Sequence, residues 1–242
     1  MNNYKMIIQY DGTNYAGWQI QENAKTIQQE ISNAIKIILK QDVNLIGSGR
    51  TDTGVHALGQ VANFRTEEDL DLYRFQFSLN SILPDDISIL SIEKVPENFH
   101  SRFDAKKRTY LYLITQFKSP FYKNYSFFYP QKIDIEKLND ISKLFIGRKN
   151  FSSFCKKKSE IENKFCQLYE ILWCEKSDLI VVKISADRFL HGMVRAIVGT
   201  LLKSIKIEYP EKYIQEVFES ENRELAGEAV PAKGLFLYKV EY

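Results

Sequence analysis

A glycine-rich stretch at residues 47–64, GSGRTDTGVHALGQVANF, places charged side chains between two apolar segments that each predict a β-strand. Glycines let another backbone approach closely, and the carboxylate of Asp52 is suited to nucleophilic or general-base chemistry. The alternative is that Asp52 caps a turn, as aspartates beside Gly and Ser often do. The spacing fits neither a dinucleotide fingerprint nor a P-loop, because no third glycine opening a helix and no Gly-Lys-Ser/Thr follow.

Arg50 lies two residues before Asp52. On extended backbone the two side chains would point to the same face, where an arginine would stabilise the ionised carboxylate. Beside RNA, an arginine can also contact phosphate or fill the space of an extruded base. A local ion pair of little energetic value is the alternative.

Tyr110 lies in the strand-like segment RTYLYLIT, on the same predicted face as Tyr112 and Ile114. This pattern is typical of core packing. The functional alternative is a ring that stacks on an unstacked base.

Arg195 falls within RFLHGMVRAIVGTLLKS, residues 188–204, whose apolar spacing predicts a helix. On that helix Arg188, His191 and Arg195 would share one flank of the apolar stripe. The pattern alone favours an arginine that reaches solvent over one that pairs with an inward carboxylate.

The elements that must position these residues follow a recognisable order. The first ~100 residues predict strand, helix, strand, strand, helix and strand, which is the order of a split βαβ unit. The second half of the chain also predicts a mixture of strands and helices, with longer insertions. We therefore expect an α+β protein with two ferredoxin-like domains, residues 1–103 and 104–242, whose antiparallel or mixed sheets flank a central basic cleft.

Charge is unevenly distributed along the chain. The net charge is +2 overall, but residues 106–158 hold 13 Lys/Arg against 3 Asp/Glu and are interleaved with aromatic residues. Such a segment suits a phosphate backbone with unstacked bases, and the alternative is a solvated lysine-rich surface. With 3 Cys and 3 His, no ligand-like spacing, no membrane-length apolar run and no leader pattern, the sequence predicts a cytoplasmic protein without disulfides or a metal.

Five blocks in order resemble the tRNA pseudouridine synthase A family: YDGTNYAGWQIQ, GSGRTDTGVHALGQVANF, FHSRFDAKKRTYLY, RFLHGMVRAIVGTLL and PAKGLFLYKVEY. They run from residue 10 to residue 242, so the resemblance covers nearly the whole chain. Thr53 departs from the family, which usually has an alanine there.

The resemblance implies a role for five side chains. Asp52 would be the catalytic aspartate, Arg195 would pair with it, and Tyr110 would stack on the flipped uracil. Arg50 would help to extrude the target base, and Leu235 would line the pocket.

The resemblance also implies a homodimer that acts on tRNA at positions 38, 39 and 40 of the anticodon arm, without metal or organic cofactor. Three alternatives remain at this stage: a non-catalytic RNA-binding protein, a small-molecule enzyme of ferredoxin-like fold, and the same chemistry on another RNA or uridine.

Overall fold

The computed structural model describes residues 1–156 and 162–242, which form two compact units. The first unit comprises Met1–Lys106 and Phe236–Tyr242, and the second comprises Lys107–Leu235. The fold class is α+β, as the sequence predicts.

The first unit contains β1 (Asn2–Tyr10), α1 (Ile27–Leu39), β2 (Ile46–Gly47), β3 (His56–Thr66), α2 (Leu72–Ile82) and β4 (Ile87–Val95). The strands lie in the order β4-β1-β3-β2, and all of these neighbours are antiparallel. Each helix therefore joins two strands that are separated by one other strand, which is the topology of a split βαβ unit.

Helix α1 shows how the local sequence determines one of these elements. Its apolar residues recur at helical spacing, and Ile27, Ile31 and Ile35 are fully buried. Thr26 caps the helix by accepting a hydrogen bond from the Gln29 backbone N–H at 3.4 Å. The Gln29 side chain donates to Asn33 Oδ1. It therefore does not act as the second partner of a capping box, in which it would bond to the Thr26 backbone N–H.

The second unit contains β5 (Lys107–Thr115), β6 (Phe127–Phe128), α3 (Ile135–Ser142), β7 (Gly147–Asn150), β8 (Phe165–Lys176), β9 (Leu179–Ala186), α4 (Met193–Ser204) and α5 (Pro210–Ser220). Its strands lie in the order β7-β8-β9-β5, with antiparallel neighbours, and β6 pairs in parallel with the end of β5. A second ferredoxin-like domain and a basic cleft between the domains stay predictions.

The final strand, β10 (Leu235–Glu241), departs from the division drawn from sequence. The sequence predicts one C-terminal domain over residues 104–242, whereas Phe236–Tyr242 group with the first unit. The reason is parallel pairing with β3, in which Phe236 lies opposite His56 and Leu237 opposite Ala57. The pairing joins residues about 180 positions apart, which local patterns cannot reveal.

Helix α4 begins later than predicted, at Met193. Gly192 precedes it with φ +73°, and the Asp187 carboxylate accepts the Arg188 backbone N–H at 2.6 Å. The predicted flank of Arg188, His191 and Arg195 on one helix is therefore wrong, because the first two residues precede the helix. The apolar spacing predicted too early a start for the helix, because Leu190 is buried although it lies in the turn before α4.

Among the described helices, none combines the length and apolar character needed to cross a bilayer.

We expect Thr26→Ala to destabilise the protein by about 1 kcal/mol, because it removes the acceptor that caps α1. Thr26→Ser keeps the hydroxyl and should retain most of the stability. Gln29→Ala should cost less than Thr26→Ala, because the Gln29 side chain does not complete the cap. Urea unfolding followed by circular dichroism measures all three, and an equal loss in Thr26→Ala and Thr26→Ser would contradict the capping role.

Candidate functional site

Asp52 lies in the loop that joins β2 to β3, within the first unit. Its side chain is half-buried, and its backbone carbonyl accepts a hydrogen bond from Val55 at 3.1 Å. Arg50 is exposed in the same loop. Neither residue belongs to a strand, so the alternation expected for extended backbone does not determine where the two side chains point.

Hydrogen bonds through Thr51 fix the backbone beside Asp52. The Tyr10 hydroxyl, at the end of β1, lies 2.8 Å from the Thr51 hydroxyl, and both side chains are buried. The Thr51 carbonyl accepts a hydrogen bond from the Trp18 N–H at 3.1 Å. The residue before Asp52 is therefore held from two directions.

Two glycines allow the 10–18 segment to approach the Asp52 loop closely. A Cβ on Gly17, which has φ +99°, would lie 2.4 Å from the Thr51 carbonyl oxygen. A Cβ on Gly12 would lie 2.0 Å from the Val55 carbonyl oxygen. Both distances are far below van der Waals contact, so larger side chains would push the loop away.

Tyr15 holds the other side of the loop. Its carbonyl accepts a hydrogen bond from the Gly54 N–H at 3.4 Å, and its hydroxyl donates to the carboxylate of Asp86. Burial, followed by the neighbouring Asp86, raises the pKa of the Tyr15 hydroxyl above its ordinary value. Through this hydrogen bond Asp86 becomes part of the loop's support.

The base of the loop rests on β3. The Ser48 hydroxyl donates to Gln60 Oε1 at 2.6 Å, and Gln60 Nε2 donates to the Gly49 carbonyl at 2.9 Å. Nearby, the fully buried His56 accepts the Gly12 N–H at Nδ1 and stacks on Phe236 with 4.6 Å between ring centroids.

The sequence interpretation assigned no role to these supporting residues. The signal was present in the YDGTNYAGW segment, where two glycines, two tyrosines and a tryptophan precede the loop motif. Nothing in the segment shows which distant loop it will contact.

Tyr110 lies on β5 in the second unit and is largely buried, as Tyr112 and Ile114 are. Its ring meets Phe189 edge to face, with 5.1 Å between centroids. The buried strand face is therefore confirmed, and stacking of Tyr110 on a base stays a prediction.

Arg195 is half-buried on α4, where it is anchored to the chain segment before β10. Its Nε–H donates to the Val230 carbonyl at 2.7 Å, and its own carbonyl accepts the Val230 N–H at 3.2 Å. The Tyr112 hydroxyl donates to the Pro231 carbonyl at 2.9 Å. Burial raises the pKa of Tyr112, and the positive charge of Arg195 acts against that shift.

Leu235 is buried and follows the 3-10 turn Ala232–Gly234. A Cβ on Gly234 would lie 2.8 Å from Cζ of Tyr112, so the turn packs directly on β5. The second unit thus holds Arg195 and the segment leading to Leu235 against the strand that carries Tyr110. Asp52 and Arg50 belong to the first unit, and the pairing of Asp52 with Arg195 stays a prediction.

Within residues 1–156 and 162–242, no group of three or more His, Cys, Asp or Glu side chains is placed to hold a metal ion.

We expect Gly17→Ala to destabilise the protein more than Gly147→Ala. Both glycines have positive φ, near +100°, so each substitution adds backbone strain of about 1–3 kcal/mol. Only at Gly17 would the new Cβ also strike a backbone, because a Cβ on Gly147 would have no atom of the described residues within 4 Å apart from its chain neighbours. Urea unfolding measures the difference, and equal losses would show that close approach at Gly17 is unimportant.

A family model described as tRNA pseudouridine synthase matches residues 6–104 and 141–242. These ranges include Asp52, Arg50, Arg195 and Leu235, whereas Tyr110 lies in the unmatched stretch.

Full-length relatives agree with the family match. A tRNA pseudouridine synthase A of Caldicellulosiruptor saccharolyticus is 43% identical over 100% of both chains. One from Brachyspira hyodysenteriae is 42% identical over 98% of this chain and 96% of its own. One from Bacillus pumilus is 37% identical over 98% of each.

Among solved structures, a Cbf5-Nop10-Gar1 complex is similar with a TM-score of 0.40 and 11% identity, over 96% of this chain and 57% of that chain. The family model and the full-length relatives establish the relationship: the chain belongs to the tRNA pseudouridine synthase family.

Proposed function

We propose that the protein isomerises uridine to pseudouridine in tRNA, at positions 38, 39 and 40 of the anticodon stem-loop, and that Asp52 is the catalytic carboxylate. The observation that carries the proposal is the Asp52 loop itself. Hydrogen bonds from several segments hold the loop on both sides of the half-buried Asp52, and a fixed backbone contributes to the preorganisation that a catalytic group needs. Relatives of the same length bear the name tRNA pseudouridine synthase A.

The reaction balances within one nucleotide. The bond between N1 and the ribose C1′ breaks, the base rotates, and a bond forms between C5 and C1′. The proton on C5 is lost and N1 gains a proton, so no external oxidant or reductant takes part. The base must first leave the stack, and Asp52 acts as the nucleophile or base that starts the exchange.

The other four residues have distinct roles in the proposal. Exposed Arg50 helps to extrude the uridine and fills its place, and Arg195 pairs with the Asp52 carboxylate. Tyr110 stacks on the detached uracil so that it rotates without leaving, and Leu235 lines the pocket. The fixed donor geometry of Arg195, set by its hydrogen bond to Val230, suits it to orient a carboxylate.

The proposed partners are tRNA and a second copy of the chain, in a cytoplasmic homodimer. The proposal includes neither a metal nor an organic cofactor. Phosphate contacts from the basic 106–158 segment would contribute sequence-independent affinity for tRNA.

We expect Asp52→Asn to lower tritium release from [5-³H]uridine-labelled tRNA transcripts by at least ~100-fold, because the amide is neither a nucleophile nor a base at neutral pH. Asp85→Asn is the matched control: it changes an exposed aspartate of the same unit and should leave the rate unchanged. Mapping of the modified nucleotides then tests positions 38, 39 and 40. Normal release by Asp52→Asn would remove Asp52 from the mechanism.

Arg195→Lys keeps the positive charge but loses the Nε–H bond to Val230 and the planar fork of donors. We expect a single-turnover rate at least ~10-fold slower, with tRNA affinity within about 2-fold of wild type, because carboxylate orientation affects the transition state more than binding. Lys203→Arg, an exposed position on the same helix, should change neither quantity. Equal losses of rate and affinity in Arg195→Lys would assign Arg195 to RNA binding instead.

A further inference from the structure

We propose that the loop between β5 and β6, residues 116–126, is an RNA-stacking platform in which Phe117 and Phe121 stack on unpaired bases of the tRNA. Lys118 and Lys123 contact the neighbouring phosphates. The proposal rests on tRNA as the substrate and adds a binding surface outside the residues that act on the uridine.

Exposed aromatic side chains mark this loop. Phe121 is 85% exposed and Phe117 is 45% exposed, and Phe128 at the end of β6 is 43% exposed. Large apolar side chains that stay exposed within one short segment are a feature of surfaces that contact a partner. The rings are therefore available to a partner from solution.

The positive charge near these rings favours a negatively charged partner. Between Thr115 and Ile133 the chain has three lysines and no Asp or Glu, and all three lysines, at positions 118, 123 and 132, are exposed. Cationic side chains interleaved with flat rings match a polyanion whose bases present π-faces, which is the chemistry of single-stranded nucleic acid.

Internal hydrogen bonds hold the loop in shape. The Tyr122 carbonyl accepts hydrogen bonds from the Tyr125 N–H at 3.0 Å and from the Ser126 N–H at 2.9 Å. At the base of the loop, Gln116 Nε2 donates to the Gln131 carbonyl at 2.8 Å. A loop that is already ordered loses little conformational entropy when it binds, as a stacking surface requires.

The loop is also joined to the proposed uridine-binding residues of the same unit. The Lys233 ammonium donates to the Lys123 carbonyl at 2.7 Å. Lys233 belongs to the turn that leads into Leu235, and Val230, just before that turn, accepts the hydrogen bond from Arg195. The platform therefore adjoins the segment that carries Leu235, the proposed pocket residue, which favours the substrate over an unrelated partner.

The test compares Phe121→Ala with Tyr73→Ala, which removes an equally exposed ring (81%) from α2 in the first unit. Binding of a full-length tRNA transcript is measured by fluorescence anisotropy at one fixed salt concentration. We expect Phe121→Ala to weaken binding by ~10-fold, within the range for loss of one stacked base. Phe121→Trp should restore affinity, and Tyr73→Ala should stay within about 2-fold of wild type.

The outcomes separate this inference from the proposed function. If Phe121→Ala binds tRNA as wild type does while wild type releases tritium, the platform is refuted and the proposed function stands. If Phe121→Ala instead converts a dimer to a monomer in sedimentation without weakening tRNA binding, the loop is a protein interface and the inference is wrong. If wild type neither binds tRNA nor releases tritium, the proposed function fails and the platform with it.

Discussion

The close approach of the 10–18 segment to the Asp52 loop is the constraint on which the conformation of that loop depends. Backbone carbonyls at Thr51 and Val55 occupy the space where Gly17 and Gly12 would carry a Cβ. Because glycine stands at both positions, the two segments come into direct backbone contact. Hydrogen bonds through Thr51 and Gly54 then fix the residues on both sides of Asp52. A flexible, glycine-rich sequence thereby becomes a rigid loop, because its partners supply the order that its composition lacks.

The second unit uses a related device. Arg195 and Tyr112 both donate to carbonyls in the segment 230–231, so two long side chains hold a stretch with no regular secondary structure of its own. Partly buried donors of this kind need acceptors. Irregular backbone can supply them, because its carbonyls are not already engaged in the hydrogen bonds of a helix or a sheet. The segment before Leu235 is consequently positioned by helix α4 and strand β5 together.

Local patterns predicted the elements that local physics determines. The apolar spacing of α1 and the alternation of β5 emerged as expected, because burial of one face dictates each pattern. The roles expected of Asp52 and Arg195 come from family motifs, since their isolated patterns favour a turn cap and a solvent-reaching side chain, and both roles stay predictions. The start of α4 was missed because Asp187 and Gly192 act through a side-chain hydrogen bond and a positive φ. The Tyr15–Asp86 pair was missed because it joins residues 71 positions apart.

The pairing of β10 with β3 has a consequence for how the chain folds during synthesis. Strand β3 acquires its parallel partner only when residues 236–242 have been made, after the whole of the second unit. Until then, part of the edge of β3 beside His56 and Ala57 lacks that partner, and an open strand edge is a site for mispairing. The order of synthesis and the order of assembly therefore differ: the unit begun first is finished last, with the whole second unit emerging in the interval.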